Sequence, residues 1–202
     1  MPSRAPFVVL LALVVGLGAS ACGSDTIHDA MHHDGSDMAH SGTMHGAEQM
    51  GTGRQADVMF TQQMIPHHQQ AVDMADIALD PTHQASAEVR DLAARIKSAQ
   101  TAEIVDMRAW LAEWGAASDG GHGDHMAMGM MSGADLSALD QAKGAAFDRL
   151  WLTGMIAHHE GALMMASHIA ARGDDPRVHK LAASIDQSQT AEIREMKELL
   201  GQ

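Results

Sequence analysis

One motif occurs twice in this chain, as MIPHHQQAVDMA at residues 64–75 and MIAHHEGALMMA at residues 155–166. A second motif follows each copy, as QTAEIVDM at residues 100–107 and QTAEIREM at residues 189–196. Because two linked blocks recur in the same order, the chain consists of two related halves. Each copy keeps polar residues as well as apolar ones, whereas a repeat that only had to pack would keep the apolar pattern alone.

Helical periodicity predicts a hairpin of two helices in each half. In the first half, helices are expected from about residue 57 to 79 and from 82 or 86 to 114, because Asp80-Pro81 breaks the chain between them. In the second half, they are expected from 137 or 140 to 172 and from 175 to 200. No stretch has convincing strand periodicity. The sequence therefore predicts an all-α fold, a four-helix bundle with pseudo-two-fold symmetry.

The segments outside the two halves indicate an exported protein. Residues 1–21 have the positive start and apolar run of a signal peptide, and the small residues before Cys22 resemble a bacterial lipobox. We expect lipidation at Cys22 and an extracytoplasmic, membrane-anchored protein, or a secreted or periplasmic one if the lipobox is not used. Residues 22–56 are expected to be a disordered Met/His-rich tail. The predicted bundle domain spans 57–202, with repeat one at 57–114, a Met/His-rich linker at 115–134 and repeat two at 135–202.

The composition favours metal handling over other functions. A formal net charge of −13 argues against nucleic acid, whose phosphates attract Lys and Arg. The chain has 17 Met and 14 His, far above ordinary usage, and its single Cys excludes an internal disulfide. Thioether sulfur is a soft ligand that favours Cu(I), and imidazole binds either oxidation state of copper. We therefore expect the tail and the linker to capture copper ions.

Polar residues fall on the core-facing stripes of all four predicted helices. His68 and His159 lie at the centres of the first and third stripes, whereas His67 and His158 lie about 100° away, at the rim. A carboxylate lies inside the second and fourth stripes, where it is costly unless a partner compensates it. The predicted metal ligands, or residues that orient them, are Met64, His67, His68, Glu103, Met107, Met155, His158, His159, Glu192 and Met196.

Three interpretations of this buried set remain open. The His, Glu and Gln side chains could form hydrogen bonds that only fix helix register, or they could bind metal. The Glu-x-x-His spacing of di-iron bundles is absent. In the third interpretation the methionines only fill the core, which is the better explanation for Met59 and Met74. We expect His83, His168 and His179 to be ordinary exposed or partly buried residues.

The paired motifs resemble those of the domain of unknown function 305 family, over residues 57–200. The resemblance implies a ferritin-like four-helix bundle and kinship with CopM-like extracytoplasmic lipoproteins that bind copper through Met and His. We expect a copper-binding protein for sequestration, tolerance or delivery to a copper-handling partner protein, and not an enzyme. The alternatives are a ferritin-like metal oxidase and a structural or interaction bundle that binds no metal.

Overall fold

The computed structural model describes residues 52–117 and 128–202. Within these ranges the chain is helical and has no strand, so the predicted all-α class is confirmed. The helices are α1 (Thr52–Leu79), α2 (Ala87–Glu113), α3 (Gly133–Gln141), α4 (Gly144–Ala170) and α5 (Pro176–Leu199), with a 3-10 turn at Pro81–His83. None of the helices in the described ranges is long and apolar enough to cross a membrane. The predicted signal peptide, Cys22 and linker residues 118–127 lie outside the described residues.

The four long helices form the predicted bundle. Helix α1 packs against α2 and α4 packs against α5, so that each half is a helical hairpin, and α1 also packs against α4. The buried apolar side chains divide into two clusters, one around Trp151 and Phe147 and the other around Phe60 and Leu111. The α1–α4 contact therefore joins the two halves along the middle of the bundle.

The structure corrects two predicted boundaries. Residues 52–56, predicted as disordered tail, form the first turn of α1. The third long helix starts at Gly144 and not at Ser137 or Asp140, because Ala142 and Lys143 are extended. A separate short helix, α3, precedes this break, and Ser132 caps it through a reciprocal pair of hydrogen bonds with Asp135. Part of the predicted linker is therefore ordered helix.

Two carboxylates, Asp57 and Asp148, hold each hairpin to the turn of the other. Asp57 in α1 is fully buried, and its Oδ2 accepts hydrogen bonds from the backbone N–H groups of Asp174 (3.1 Å) and Asp175 (2.9 Å) before α5. Asp148 in α4 accepts the backbone N–H of Ser86, the N-cap of α2, at 3.1 and 3.3 Å. The two carboxylates occupy matching positions of the repeat, so the contact is made twice.

One end of the bundle carries a cluster of ion pairs and aromatic rings. Asp175 caps α5 and accepts hydrogen bonds from Arg177 (2.9 Å) and Arg54 (3.1 Å). The bonds from Arg177 contribute most to lowering the pKa of the Asp175 carboxyl well below its usual range. The guanidinium of Arg54 lies 4.7 Å from the centre of the Trp114 ring, within reach of a cation–π interaction.

Candidate functional site

Four histidine side chains lie side by side in the bundle interior, where α1 meets α4. His67 is 2% exposed, and His68, His158 and His159 are completely buried. The rings of His67 and His158 are 3.8 Å apart between centroids, and each lies 6.3–6.4 Å from the ring of its neighbour in sequence. The prediction that His67 and His158 lie at the rim is wrong. Helix α1 contacts both α2 and α4, so the side of α1 beside the core stripe is buried too.

A carboxylate from the partner helix of each hairpin holds one histidine of each pair. His68 Nε2 lies 2.8 Å from Glu103 Oε2, and His159 Nε2 lies 2.8 Å from Glu192 Oε2. The glutamate side chains are 19% and 15% exposed, whereas the rings are buried. Each carboxylate is therefore compensated by an imidazole, as the sequence required, and reaches water at its outer edge.

Backbone carbonyl groups hold the other two histidines. His158 Nε2 lies 2.9 Å from the carbonyl oxygen of His67, across the α1–α4 contact. His67 Nε2 lies 3.0 Å from the carbonyl oxygen of Met128. Met128 can approach this closely because residue 161 of α4 is glycine, and a methyl group there would collide with the Met128 carbonyl. The last part of the linker thus seals the histidines on one side.

These four contacts fix the protonation of the rings. Carbonyl and ionised carboxylate oxygens only accept hydrogen bonds, so Nε2 carries the proton in each histidine and donates it. In the neutral ring the other nitrogen, Nδ1, then holds a free lone pair. All four Nδ1 atoms are buried and have no hydrogen-bond partner among the described residues. A metal-binding histidine has this arrangement, with one nitrogen donating to a carboxylate or carbonyl and the other free to bind.

Burial keeps the two central rings neutral. The pKa of His67 is lowered to about 4, mainly by burial. The hydrogen bond to the Met128 carbonyl opposes this by raising the pKa, and the neighbouring histidines lower it further. For His158, burial followed by repulsion from His67 and the other histidines lowers the pKa to about 2. Both rings therefore hold their Nδ1 lone pairs at neutral pH, where protons do not compete with a metal ion.

The predicted sulfur ligands share the interior with these rings. Met64, Met107, Met155 and Met196 are completely buried, at matching positions of the two hairpins. All ten predicted site residues thus face the bundle interior. However, no three His, Cys, Asp or Glu side chains in residues 52–117 and 128–202 form a cluster that could hold a metal ion by themselves. The available donor set is imidazole together with thioether.

Sequence reasoning missed one polar group of the site, the Met128 carbonyl, and misplaced one methionine. Gln100 and Gln189 are only 3% exposed, and both amide atoms of Gln100 lack a partner among the described residues. The repeated Gln-x-x-Glu motif predicted both glutamines among the buried polar side chains, and their burial confirms it. No pattern in the sequence marks the carbonyl of Met128. Met74 is buried as expected of a core residue, whereas Met59 is 46% exposed, so its prediction as core filler is wrong.

Comparisons with known proteins identify the family and agree with the fold. Residues 57–200 match the family model described as Domain of unknown function (DUF305). A DUF305 protein from Streptomyces coelicolor, assigned as secreted, is 33% identical with a TM-score of 0.67, over 72% of this chain and 91% of that one. CopM in its Cu(I)-bound form is 35% identical with a TM-score of 0.60, over 71% of this chain and 94% of CopM. CopM structures with Cu(II) and with silver match similarly.

A match to a viral protein is shorter. Protein L153 of Acanthamoeba polyphaga mimivirus is 45% identical over 53 residues, which are 26% of this chain and 35% of L153. The chain therefore spans about a third of the length of that relative.

Proposed function

The chain belongs to the DUF305 family, and we propose that it binds copper, with Cu(I) held in the bundle interior where α1 meets α4. The observation that carries this proposal is the set of four buried Nδ1 lone pairs without a hydrogen-bond partner. An unpaired polar atom costs stability when it is buried, and a bound cation would satisfy it. The structures of CopM with Cu(I) and Cu(II) support copper as the ion.

The chemistry of the donors favours Cu(I) over harder ions. Neutral imidazole and thioether are ligands that suit Cu(I), whereas Mg²⁺ and Ca²⁺ prefer carboxylate and carbonyl oxygens. A monovalent ion also brings less charge into an apolar interior than a divalent one. Glu103 and Glu192 supply negative charge one hydrogen bond away from the rings, which compensates the cation without binding it.

The roles follow from these contacts. Nδ1 of His67, His68, His158 and His159 would supply the imidazole ligands, with at most two of them on any one ion, since no three of these side chains form a cluster that could hold one. Met64 and Met107 in one apolar cluster, and Met155 and Met196 in the other, are candidates for the further ligands, because all four side chains are completely buried. Glu103 and Glu192 orient the rings and fix the tautomer.

We further propose that the protein stores or delivers copper outside the cytoplasm and does not catalyse a reaction. The predicted signal peptide and Cys22 support export and a lipid anchor, and the related protein from Streptomyces coelicolor is assigned as secreted. A buried site sealed by Met128 suits retention of an ion more than turnover. Adding Fe(II) or Cu(I) should then cause no oxygen consumption above that of buffer.

An anaerobic Cu(I) titration against a competing chelator tests the proposal. The double variant His67→Gln/His158→Gln keeps a side-chain donor near each Nε2 position and removes both Nδ1 lone pairs. It should lose at least about tenfold in Cu(I) affinity, as expected when metal ligands are removed. His179→Gln is the control, since His179 bonds to the Gly173 carbonyl near the start of α5. Unchanged affinity and stoichiometry in a folded double variant would overturn the proposal.

A further inference from the structure

The repeat creates two related grooves between α1 and α4, and described residues of the linker and α3 fill one of them. At the end of α1 near Met74, the linker and α3 cover the groove. There Met131 and Leu139 pack in the same apolar cluster as Trp151 and Phe147, and Leu139 is completely buried. Two hydrogen bonds between the Gln70 side chain and the backbone of Met131 hold the segment in place.

The other groove is a cavity of about 250 Å³. It lies between the start of α1 and the end of α4, and three methionines and a histidine line it: Met59, Met128, Met165 and His168. Of the linker residues that the structure describes, Met128 lines this groove.

The residues of the open groove differ in kind from their counterparts in the filled one. Positions 59 and 168 are Met and His, whereas the matching positions 150 and 77 are Leu and Ile. Methionine occupies the third pair, Met165 and Met74, in both grooves. Two lining positions of this groove thus carry soft donor atoms where the matching positions of the repeat carry aliphatic side chains.

Most of these donors are accessible to solvent. Met59 is 46% and Met128 is 36% exposed, and His168 is also exposed, while Met165 is buried at the base of the groove. Met165 and His168 are three residues apart on α4, so their side chains lie on the same face, one turn apart. Methionine has three rotatable bonds, which allow its sulfur to adjust to a ligand.

The charges around the groove exclude a hard cation. Among the described residues that line it, none is Asp or Glu, and Arg172 adds a positive charge. Sulfur and imidazole are neutral donors that select soft ions such as Cu(I). Met128 also links this groove to the interior, because its carbonyl accepts the hydrogen bond from His67.

We propose that Met59, Met128, Met165 and His168 form a second site, the outer thioether site, which binds a soft monovalent cation such as Cu(I). That the ion bound here is the copper which the protein stores or delivers rests on the proposed function. The site itself rests on the residues that line the groove. The outer thioether site lies next to the sealed interior and takes up the ion before it reaches His67. Binding there exchanges neutral ligands around the ion and involves no electron transfer.

Methyl NMR of the methionines tests the outer thioether site, with Ag(I) as a redox-inert probe. In the protein labelled with ¹³C at its methionine methyl groups, the signals of Met59, Met128 and Met165 should shift together during the titration. The matched control is Met164, which neighbours Met165 on α4, is 54% exposed and is not part of the groove. The triple variant Met59→Leu/Met128→Leu/Met165→Leu should lose one equivalent of bound Ag(I), and Met164→Leu should lose none.

The outcomes separate this site from the interior one. The three methyl shifts should persist in the His67→Gln/His158→Gln variant, whose interior binding is impaired. If these three signals stay unmoved while interior histidine signals change, the outer thioether site is wrong and the proposed function stands. If Met164 shifts as strongly as the other three, silver binds exposed methionines without selection, and the outer thioether site is again wrong.

Discussion

Replacing Glu103 and Glu192 by glutamine should weaken Cu(I) binding while the bundle stays folded. Each glutamate accepts a hydrogen bond of 2.8 Å from the Nε2 of a buried histidine. Glutamine keeps an acceptor oxygen of the same reach, so the ring orientation and its tautomer persist. Only the negative charge is removed. The variants therefore measure how much the two carboxylates compensate a cation on the opposite ring nitrogen.

The magnitude follows from the distance between the carboxylate and the ion. Adding the width of the ring and a metal–nitrogen bond of about 2.0 Å to the hydrogen bond places the ion about 7 Å from the carboxylate oxygen. At that distance two unit charges attract by about 2 kcal/mol with an effective dielectric constant of about 20. The glutamates are 19% and 15% exposed, so water screens part of this attraction. We expect a loss of about tenfold in affinity for each variant, equal to about 1.4 kcal/mol.

The assay is an anaerobic titration in which a chromogenic chelator competes with the protein for Cu(I). Glu195→Gln is the matched control, because Glu195 lies on the same helix, three residues after Glu192, and pairs with Arg95 at the surface. It removes the same charge without touching a histidine and should leave the affinity within about twofold, since exposed charges are strongly screened. Long-range ¹H–¹⁵N spectra of the metal-free variants should still show a protonated Nε2 in all four histidines.

Two results would refute the reasoning. If Glu103→Gln and Glu192→Gln bind Cu(I) as tightly as Glu195→Gln does, the carboxylates do not act on the ion. If the metal-free wild type has a proton on Nδ1 in any of the four rings, the lone pairs that should bind copper are not free. The second result is independent of copper and tests the geometry alone.

Two further predictions concern the frame around the site. Asp57→Ala should lower the free energy of unfolding by about 3 kcal/mol, because two backbone N–H groups lose a buried charged acceptor. Asp148 is more exposed, so Asp148→Ala should lower the free energy of unfolding by less. Urea denaturation measures both, and a smaller loss in Asp57→Ala than in Asp148→Ala would contradict the role of the Asp57 contact. The pKa of the Asp175 carboxyl is lower in the folded protein than in the unfolded chain, so its contribution to stability is present above about pH 4 and is lost below it. Asp175→Asn should therefore destabilise the protein at pH 7 and approach the wild type in acid unfolding. A difference in stability between variant and wild type that stays constant across pH would argue against this prediction.

The sequence contained enough information to pair the correct histidine with the correct carboxylate in each half. His68 and Glu103 lie at the centres of facing stripes, and helical periodicity within one hairpin suffices to bring them together. The same reasoning failed for His67 and His158, because their burial depends on where one hairpin contacts the other. A single helical wheel assigns one inward side to each helix, whereas α1 has two.

The other omissions have the same physical origin. The Ser132-x-x-Asp135 spacing is the signature of a helix start, yet the surrounding Met- and Gly-rich composition favoured a linker. Asp57 and Asp148 recur at one repeat spacing, and their partners are backbone groups in the opposite hairpin. Composition and local periodicity say nothing of such contacts, although the recurrence of a polar residue was a signal that both positions have a fixed partner.

The linker also explains why two equivalent histidines end up in different environments. With exact two-fold symmetry, His67 and His158 would each donate to the carbonyl of the other. In the structure only His158 donates across the contact, to His67, while His67 donates to Met128 of the linker. One connecting segment can lie on only one side of a two-fold axis, so duplication of the hairpin necessarily left the two sides unequal. The same asymmetry places Met128 both against His67 and in the lining of the proposed outer thioether site, so an ion taken up there would reach the interior from the His67 side.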